Sequence, residues 1–253
     1  MKSLNLITDI AIGSMVSVER YKKKITSLFK KVVPILIPVQ TTLQNPVSLG
    51  TASGFAVIAG YSITNKGATT INGDIGLCPG KVMEGFPPGL LIGNQNINDP
   101  ISIHAKLDLM TAFDDISKRT CSDIVTLPEK IGELTLTPGL YKTDDSLSIS
   151  SGNFVFDAKG NGNAIFIIQI PGSLNISMGC NIILIGGAFA CNIFWQIGKT
   201  VSLGTVSVFR GTVLAMQSIK FKTGATLNGR ALAINGGVKL ISNSIYKHEP
   251  CPK

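Results

Sequence analysis

The sequence predicts an all-β chain with one long helix, folded as a right-handed, three-sided parallel β-helix with the helix packed along one face. Three observations lead to it: segments that recur at a near-constant step, about three short alternating runs within each repeat, and one long amphipathic stretch that fits no repeat. Gly211 to Ala215 (GTVLA) returns eighteen residues later as Gly229 to Ala233 (GRALA). Val201 to Leu203 (VSL) returns as Ile219 to Phe221 (IKF) and again as Val238 to Leu240 (VKL), at steps of 18 and 19. Upstream, Ile165 to Ile170 (IFIIQI) matches Asn192 to Ile197 (NIFWQI) at a step of 27, a coil carrying an extra loop.

Each run sends alternate residues in and out. A coil cannot bury its apolar side alone, so stacked coils share a continuous core and line up outward ladders. The repeats place Ser202, Lys220 and Lys239 on one face, a polar and basic ladder that reads as solvated. They place Ser207, Thr226 and Ser244 on a second, with Thr205 and Ser242 beside them. On the third, Val213, Ala215, Ala231 and Ala233 are expected to point outward, a small apolar surface that needs a cover. The cover is expected between Asp99 and Arg119, where Ala105, Leu109, Ala112, Phe113 and Ile116 form one helical stripe. Asp99 suits the N-cap, Pro100 the first turn, and Lys118 and Arg119 the C-terminal end.

Composition supports an ordered core: 44% of the 253 residues are apolar and only 15% charged, which argues against disorder. We expect one β-helix domain over 47–246, a basic N-terminal arm over 1–46 and a short tail over 247–253. The net charge of +8 is uneven, with seven basic and two acidic residues before position 47 and 16 against 13 after it. With no reader motif and no aromatic interleaving, nucleic acid is not an expected partner. In the arm, Asp9 interrupts the apolar stretch from Leu6 to Val18, which leaves an atypical export signal, an anchor or a disordered tail. Gly160 to Gly198 holds no charged residue, but Pro171, Gly186, Gly187 and several Asn punctuate it, so short buried strands are expected and a membrane span is not. The five cysteines lie far apart, and the histidines are His104 and His248, so no metal site is expected. One or two disulfides are compatible with that count.

Six segments resemble the ice-binding-like proteins of cold-adapted microbes. They are Val47 to Val57 (VSLGTASGFAV), Ile71 to Gly80 (INGDIGLCPG), Gly85 to Gly89 (GFPPG), Leu134 to Tyr141 (LTLTPGLY), Asn192 to Ile197 (NIFWQI) and Thr223 to Ala233 (TGATLNGRALA), in the family's order. The resemblance implies a discontinuous β-helix, with N-terminal strands inserted beside C-terminal coils. It implies no catalysis and no cofactor, and a flat hydroxyl-rich face that binds ice in antifreeze proteins, recrystallisation inhibitors or ice adhesins. The ladder expected to carry this is Thr205, Ser207, Thr226, Ser242 and Ser244, joined from the inserted coils by Thr64, Thr69, Thr70 and Asn72. Ice is the expected partner, met by a monomer at an extracellular or surface-exposed location. The alternative is a surface adhesin or structural module whose partner is a cell or particle surface. Two departures weigh against strong activity: Ser outnumbers Thr among the five C-terminal positions of the ladder, with no repeated Thr-x-Thr, and Lys220, Lys222 and Lys239 lie on adjacent strands.

Enzyme readings find little support in the residues. Asp114 and Asp115 are expected on the exposed side of the helix, Asp144 and Asp145 in a turn, and Asp74 bonded to turn backbone. His104 and His248 are not placed to complete a Ser-His-Asp arrangement. Asp157 to Asn163 (DAKGNGN) reads as a plain turn, and Phe194 and Trp195 as packing.

Overall fold

The computed structural model describes residues 43–248 together with the strand Ile35–Leu36. The expectation of a basic arm over 1–46 falls mostly outside those residues, as does the end of the tail from position 249. Within them the chain winds into coils whose strands pair in parallel with the coils above and below, forming three faces.

The first face stacks Lys130–Ile131, Leu147–Ile149, Leu174–Ile176, Val201–Leu203, Ile219–Phe221, Val238–Ile241, Ser62–Lys66 and Val82–Glu84. It is called the lysine face below. The second stacks Leu134–Leu136, Asn153–Asp157, Asn181–Ile185, the first halves of Val208–Ala215 and Thr226–Ala233, then Ser244–Tyr246, Thr70–Asn72 and Leu90–Ile92. This is the hydroxyl face. The third, the helix face, stacks Gly139–Lys142, Phe166–Ile170, Ile193–Ile197, the second halves of the two long strands, Phe55–Ala59, Asp74–Leu77 and Gln95–Ile97. On every face, strands from the start of the chain continue the stack where its end leaves off. Val238 pairs with Ile63, Ser244 with Thr70 and Ala231 with Val57.

The steps read from the sequence are the registers of the stack. Val213 pairs with Ala231 and Val201 with Ile219 at 18, Ile219 with Val238 at 19, and Phe166 with Ile193 at 27. Both long strands bend where one face becomes the next, at Gly211 and Gly229, which pair with each other and have φ of 110° and 153°. A Cβ on Gly229 would sit 1.9 Å from the Gly211 carbonyl oxygen, so the glycine that opens each repeat permits the close approach of successive coils. Inside, Trp195 packs against Phe209 and Phe156 at ring separations of 4.9 and 5.6 Å and donates its indole N–H to the Arg210 carbonyl at 3.1 Å. The uncharged stretch 160–198 forms four of these strands and their turns. Among the described residues no helix is long and apolar enough to cross a membrane.

Helix α1, Pro100–Lys118, begins as expected: Asp99 accepts the Ser102 backbone N–H at 2.7 Å, and the Ser102 hydroxyl accepts the Asp99 N–H at 3.0 Å. Its predicted stripe is buried on the third face. The residues it covers correct the sequence reading. Val213, Ala215, Ala231 and Ala233 point into the coil, while Leu214 and Leu232, with Ile58, Ile167 and Phe194, point out and meet the helix. A strand buried on both sides is apolar at every position, so its alternation carries no sign of which side is which. Polar clamps fix the helix at its middle and at its C-terminal end. Asp108 accepts the backbone N–H and hydroxyl of Thr51 at 2.7 and 2.6 Å, and these bonds, the hydroxyl first, hold its carboxyl below the usual range. Gln169 donates to the terminal carbonyls of Ile116 and Arg119 at 2.6 and 2.9 Å.

Truncating Phe113 to Ala removes the largest side chain of the buried stripe and is expected to lower unfolding free energy by about 3 kcal/mol in a denaturant titration. Gly229→Ala is expected to cost at least as much, roughly 3 kcal/mol, through its clash with the next coil. A Cβ at Gly54 has nothing within 4 Å, so Gly54→Ala is the control and should stay within about 0.5 kcal/mol of the parent.

Candidate functional site

With the helix covering one face, two remain open, and their outward columns differ in chemistry. On the lysine face one column reads Lys130, Ser148, Asn175, Ser202, Lys220, Lys239, Thr64 and Glu84. On the hydroxyl face the corresponding column reads Asn153, Asn181, Val208, Thr226, Ser244, Thr70 and Leu90. A second column beside it runs Arg210, Asn228, Tyr246, Asn72 and Ile92. The strands 226–228, 244–246, 70–72 and 90–92 carry no charged side chain. Lys220 and Lys239, which the sequence set against this site, lie on the other open face, and Lys222 lies at the corner between the two.

Each outward pair on the hydroxyl face flanks an inward anchor. Leu227 sits between Thr226 and Asn228, Ile245 between Ser244 and Tyr246, and Ile71 between Thr70 and Asn72, all three fully buried. Strand spacing of about 4.8 Å sets the interval between successive hydroxyls. Thr226, Ser244 and Thr70 are half-buried, so short side chains stand close to the backbone plane.

The structure brings together four of the nine residues expected at the site, Thr226, Ser244, Thr70 and Asn72, and sends the others elsewhere. Ser207 is 0% exposed and donates its hydroxyl to the Gly204 carbonyl at 2.8 Å. It is Val208, not Ser207, that pairs with Thr226. Thr69 is 1% exposed; its hydroxyl donates to the Asn65 side chain and accepts the Asn243 backbone N–H at 3.0 Å. Both belong to the column one residue earlier, with Ala225 and Asn243, which turns inward at the corner. Asn243 donates from there to the Lys222 and Ala225 carbonyls at 2.8 and 3.0 Å, so this buried polar seam stiffens the edge of the face. Thr64 points out from the lysine face, in register with Lys239. Thr205 and Ser242 occupy corner turns, Ser242 with a φ of 49°. The sequence reading missed Asn228, exposed two residues after Thr226 on the same strand and in register with Tyr246. Alternation along the strand was itself the available signal.

Other polar groups have structural duties. Asp74 accepts the Asn94 backbone N–H at 2.8 Å, and Asp157 accepts that of Lys159 at 2.9 Å, which makes DAKGNGN a turn. Asp115 pairs with Arg119 at 2.6 Å. Arg230 is nearly buried, donates twice to the Ser53 carbonyl at 3.0 and 2.8 Å and meets the His248 ring; burial pulls its pKa down to about 10. Cys191 is disulfide-bonded, whereas Cys78, Cys121 and Cys180 are free. Among the described residues no three His, Cys, Asp or Glu side chains are grouped to hold a metal ion.

Comparison with known proteins agrees with this architecture. The chain is 54% identical to an ice binding protein from an Antarctic biological consortium, whose crystal structure superposes with a TM-score of 0.82 over 83% of this chain and 95% of the other. The ice-binding protein of Antarctomyces psychrotrophicus is 35% identical, with a TM-score of 0.78 over 81% of this chain and all of its own. In sequence, the chain is 36% identical to an ice-binding protein of Nostoc sp. (strain HG1) over 198 residues, 78% of this chain and 72% of the relative. A family model described as ice-binding-like matches residues 57–246, from within the strand Phe55–Ala59 to the end of the strand Ser244–Tyr246, and the chain therefore belongs to the ice-binding-like family.

Proposed function

We propose that the protein binds ice, without catalysis, through its hydroxyl face. One observation carries the assignment to this face: Thr226, Ser244 and Thr70 stand in direct register on successive coils, beside Asn228 and Asn72, on strands free of charge. Such a row repeats a methyl or methylene beside a hydrogen-bonding group at a fixed interval of about 4.8 Å. The buried anchors beneath hold it rigid, so little conformational entropy is lost when water orders against it. Each contact is weak, and binding comes from many made at once. Ice growing between adsorbed molecules must bulge into curved fronts, which lowers its freezing point and slows the coarsening of crystals. The activity is therefore that of an antifreeze or recrystallisation inhibitor acting as a monomer outside the cell. The disulfide at Cys191 supports an oxidising location.

Tyr246 limits the contact. It occupies the column between Asn228 and Asn72 and is 46% exposed, so a large ring stands where its neighbours are short.

The first experiment is the growth habit and thermal hysteresis of a single ice crystal in a solution of the purified protein. Faceting with a freezing gap is expected; a round, freely growing crystal with a folded protein by circular dichroism overturns ice binding itself. Thr226→Tyr should abolish shaping with the fold intact, whereas Ser202→Tyr on the lysine face should leave it unchanged. The reverse result moves the site to the other open face. Tyr246→Asn continues the amide row and should raise thermal hysteresis; a fall would make the ring part of the contact.

A further inference from the structure

The open face that the ice contact does not use is neither neutral nor evenly charged. Lys220, Lys239 and Lys66 lie on three successive strands, and Lys222 follows Lys220 by two residues, giving four exposed lysines on one patch. Lys220 and Lys239 are direct register partners, a like-charge pairing that costs stability unless something offsets it. Among the described residues none of the four takes part in an ion pair, and the nearest acidic residue in their column, Glu84, lies beyond Thr64 at the edge of the stack. From residue 47 onward the chain carries 16 basic and 13 acidic residues, so four lysines in one place account for more than its whole excess. Hydroxyls flank the lysine pair in its column, Ser202 before Lys220 and Thr64 after Lys239. Beside them is a shallow depression of about 290 Å³ lined by Lys220, Lys239, Ser62 and Tyr61. The Tyr61 ring is 73% exposed at its rim.

We propose that this face binds an acidic polysaccharide, a linear glycan bearing carboxylate or sulfate groups, laid along the stack. Lysines on neighbouring strands, about 4.8 Å apart, meet anionic groups on successive or alternate sugars. The flanking hydroxyls exchange hydrogen bonds with sugar hydroxyls, and the Tyr61 ring offers an apolar surface to the C–H face of a sugar. An open, shallow trough suits a chain that passes through it, and an isolated small anion would stay largely hydrated there. Nucleic acid fits less well, since the patch presents one exposed ring and no groove for a series of stacked bases. The inference is independent of the ice contact, which lies on a different face.

The test is affinity electrophoresis of the full chain in gels containing alginate, with neutral dextran as the reference. Alginate should retard the protein, dextran should not, and added salt should remove the effect. Lys220→Glu/Lys239→Glu should weaken retardation by about tenfold or more. Lys106→Glu/Lys118→Glu on the helix changes net charge equally and should leave most of it, and Lys220→Arg/Lys239→Arg should retain it. Circular dichroism and ice shaping report folding and the other face separately. Equal loss in the helix variant would reduce the effect to net charge, and full retention in the patch variant would place it elsewhere in the chain. Either result, absence of retardation by alginate, or tighter retention by single-stranded DNA than by alginate, overturns the proposal.

Discussion

The parallel register between successive coils is the constraint on which everything else in this protein depends. Backbone hydrogen bonds hold each coil to the next at one residue per residue, so a choice made in one coil is repeated in its neighbours. Val208, Thr226, Ser244 and Thr70 form a column for that reason, and so do the glycines at the bend and the apolar residues inside. Shifting one strand by a single residue would turn every outward hydroxyl into the core. The column one residue earlier shows this directly. Ser207, Ala225, Asn243 and Thr69 are as polar on average as their neighbours, yet all four are buried.

The three faces meet different demands with the same backbone. The helix face is apolar outward as well as inward, and α1 removes that surface from water. The lysine face presents mobile charged heads, which keep it hydrated. Only the hydroxyl face combines short side chains, absence of charge on four successive strands and a stiff foundation. A flat array suits ice because the ligand is itself a lattice, and an enclosed pocket would admit only a fragment of it. Asp74, Asp115 and Asp157 are each engaged by a turn or by a neighbouring cation.

Closure of the stack matters as much as its repeat. Coils built from 55–97 continue the faces begun by 134–246, so both halves of the chain contribute to one surface. Thr226 and Ser244 come from one end of the sequence, Thr70 and Asn72 from the other, and neither pair makes a surface several coils wide. Buried bonds such as those from Asn243 to the Lys222 and Ala225 carbonyls, with its own N–H given to Thr69, fasten the seam where the halves join.

Much of this was legible in the residues themselves. The steps of 18, 19 and 27 are the physical registers, because a coil of given size must bring like residues into contact with like. The helix, its cap and its buried stripe follow from local chemistry that acts within a few residues. The resemblance of six segments located the inserted coils. What local pattern could not supply was parity at the places where the chain turns a corner or is buried on both sides. At the corner before Thr226 the backbone passes through left-handed φ at Val206, Gly224 and Ser242, so a simple count of in and out places Ser207 on the wrong side. On the helix face, segments 213–215 and 231–233 are apolar at every position, and nothing in the pattern separates Leu214 from Val213. Which face Thr64 joins, and that the lysines leave the hydroxyl face clear, were likewise decided only in the tertiary structure. Local sequence determines what a strand can face, but the stacking of distant coils determines what lies beside it.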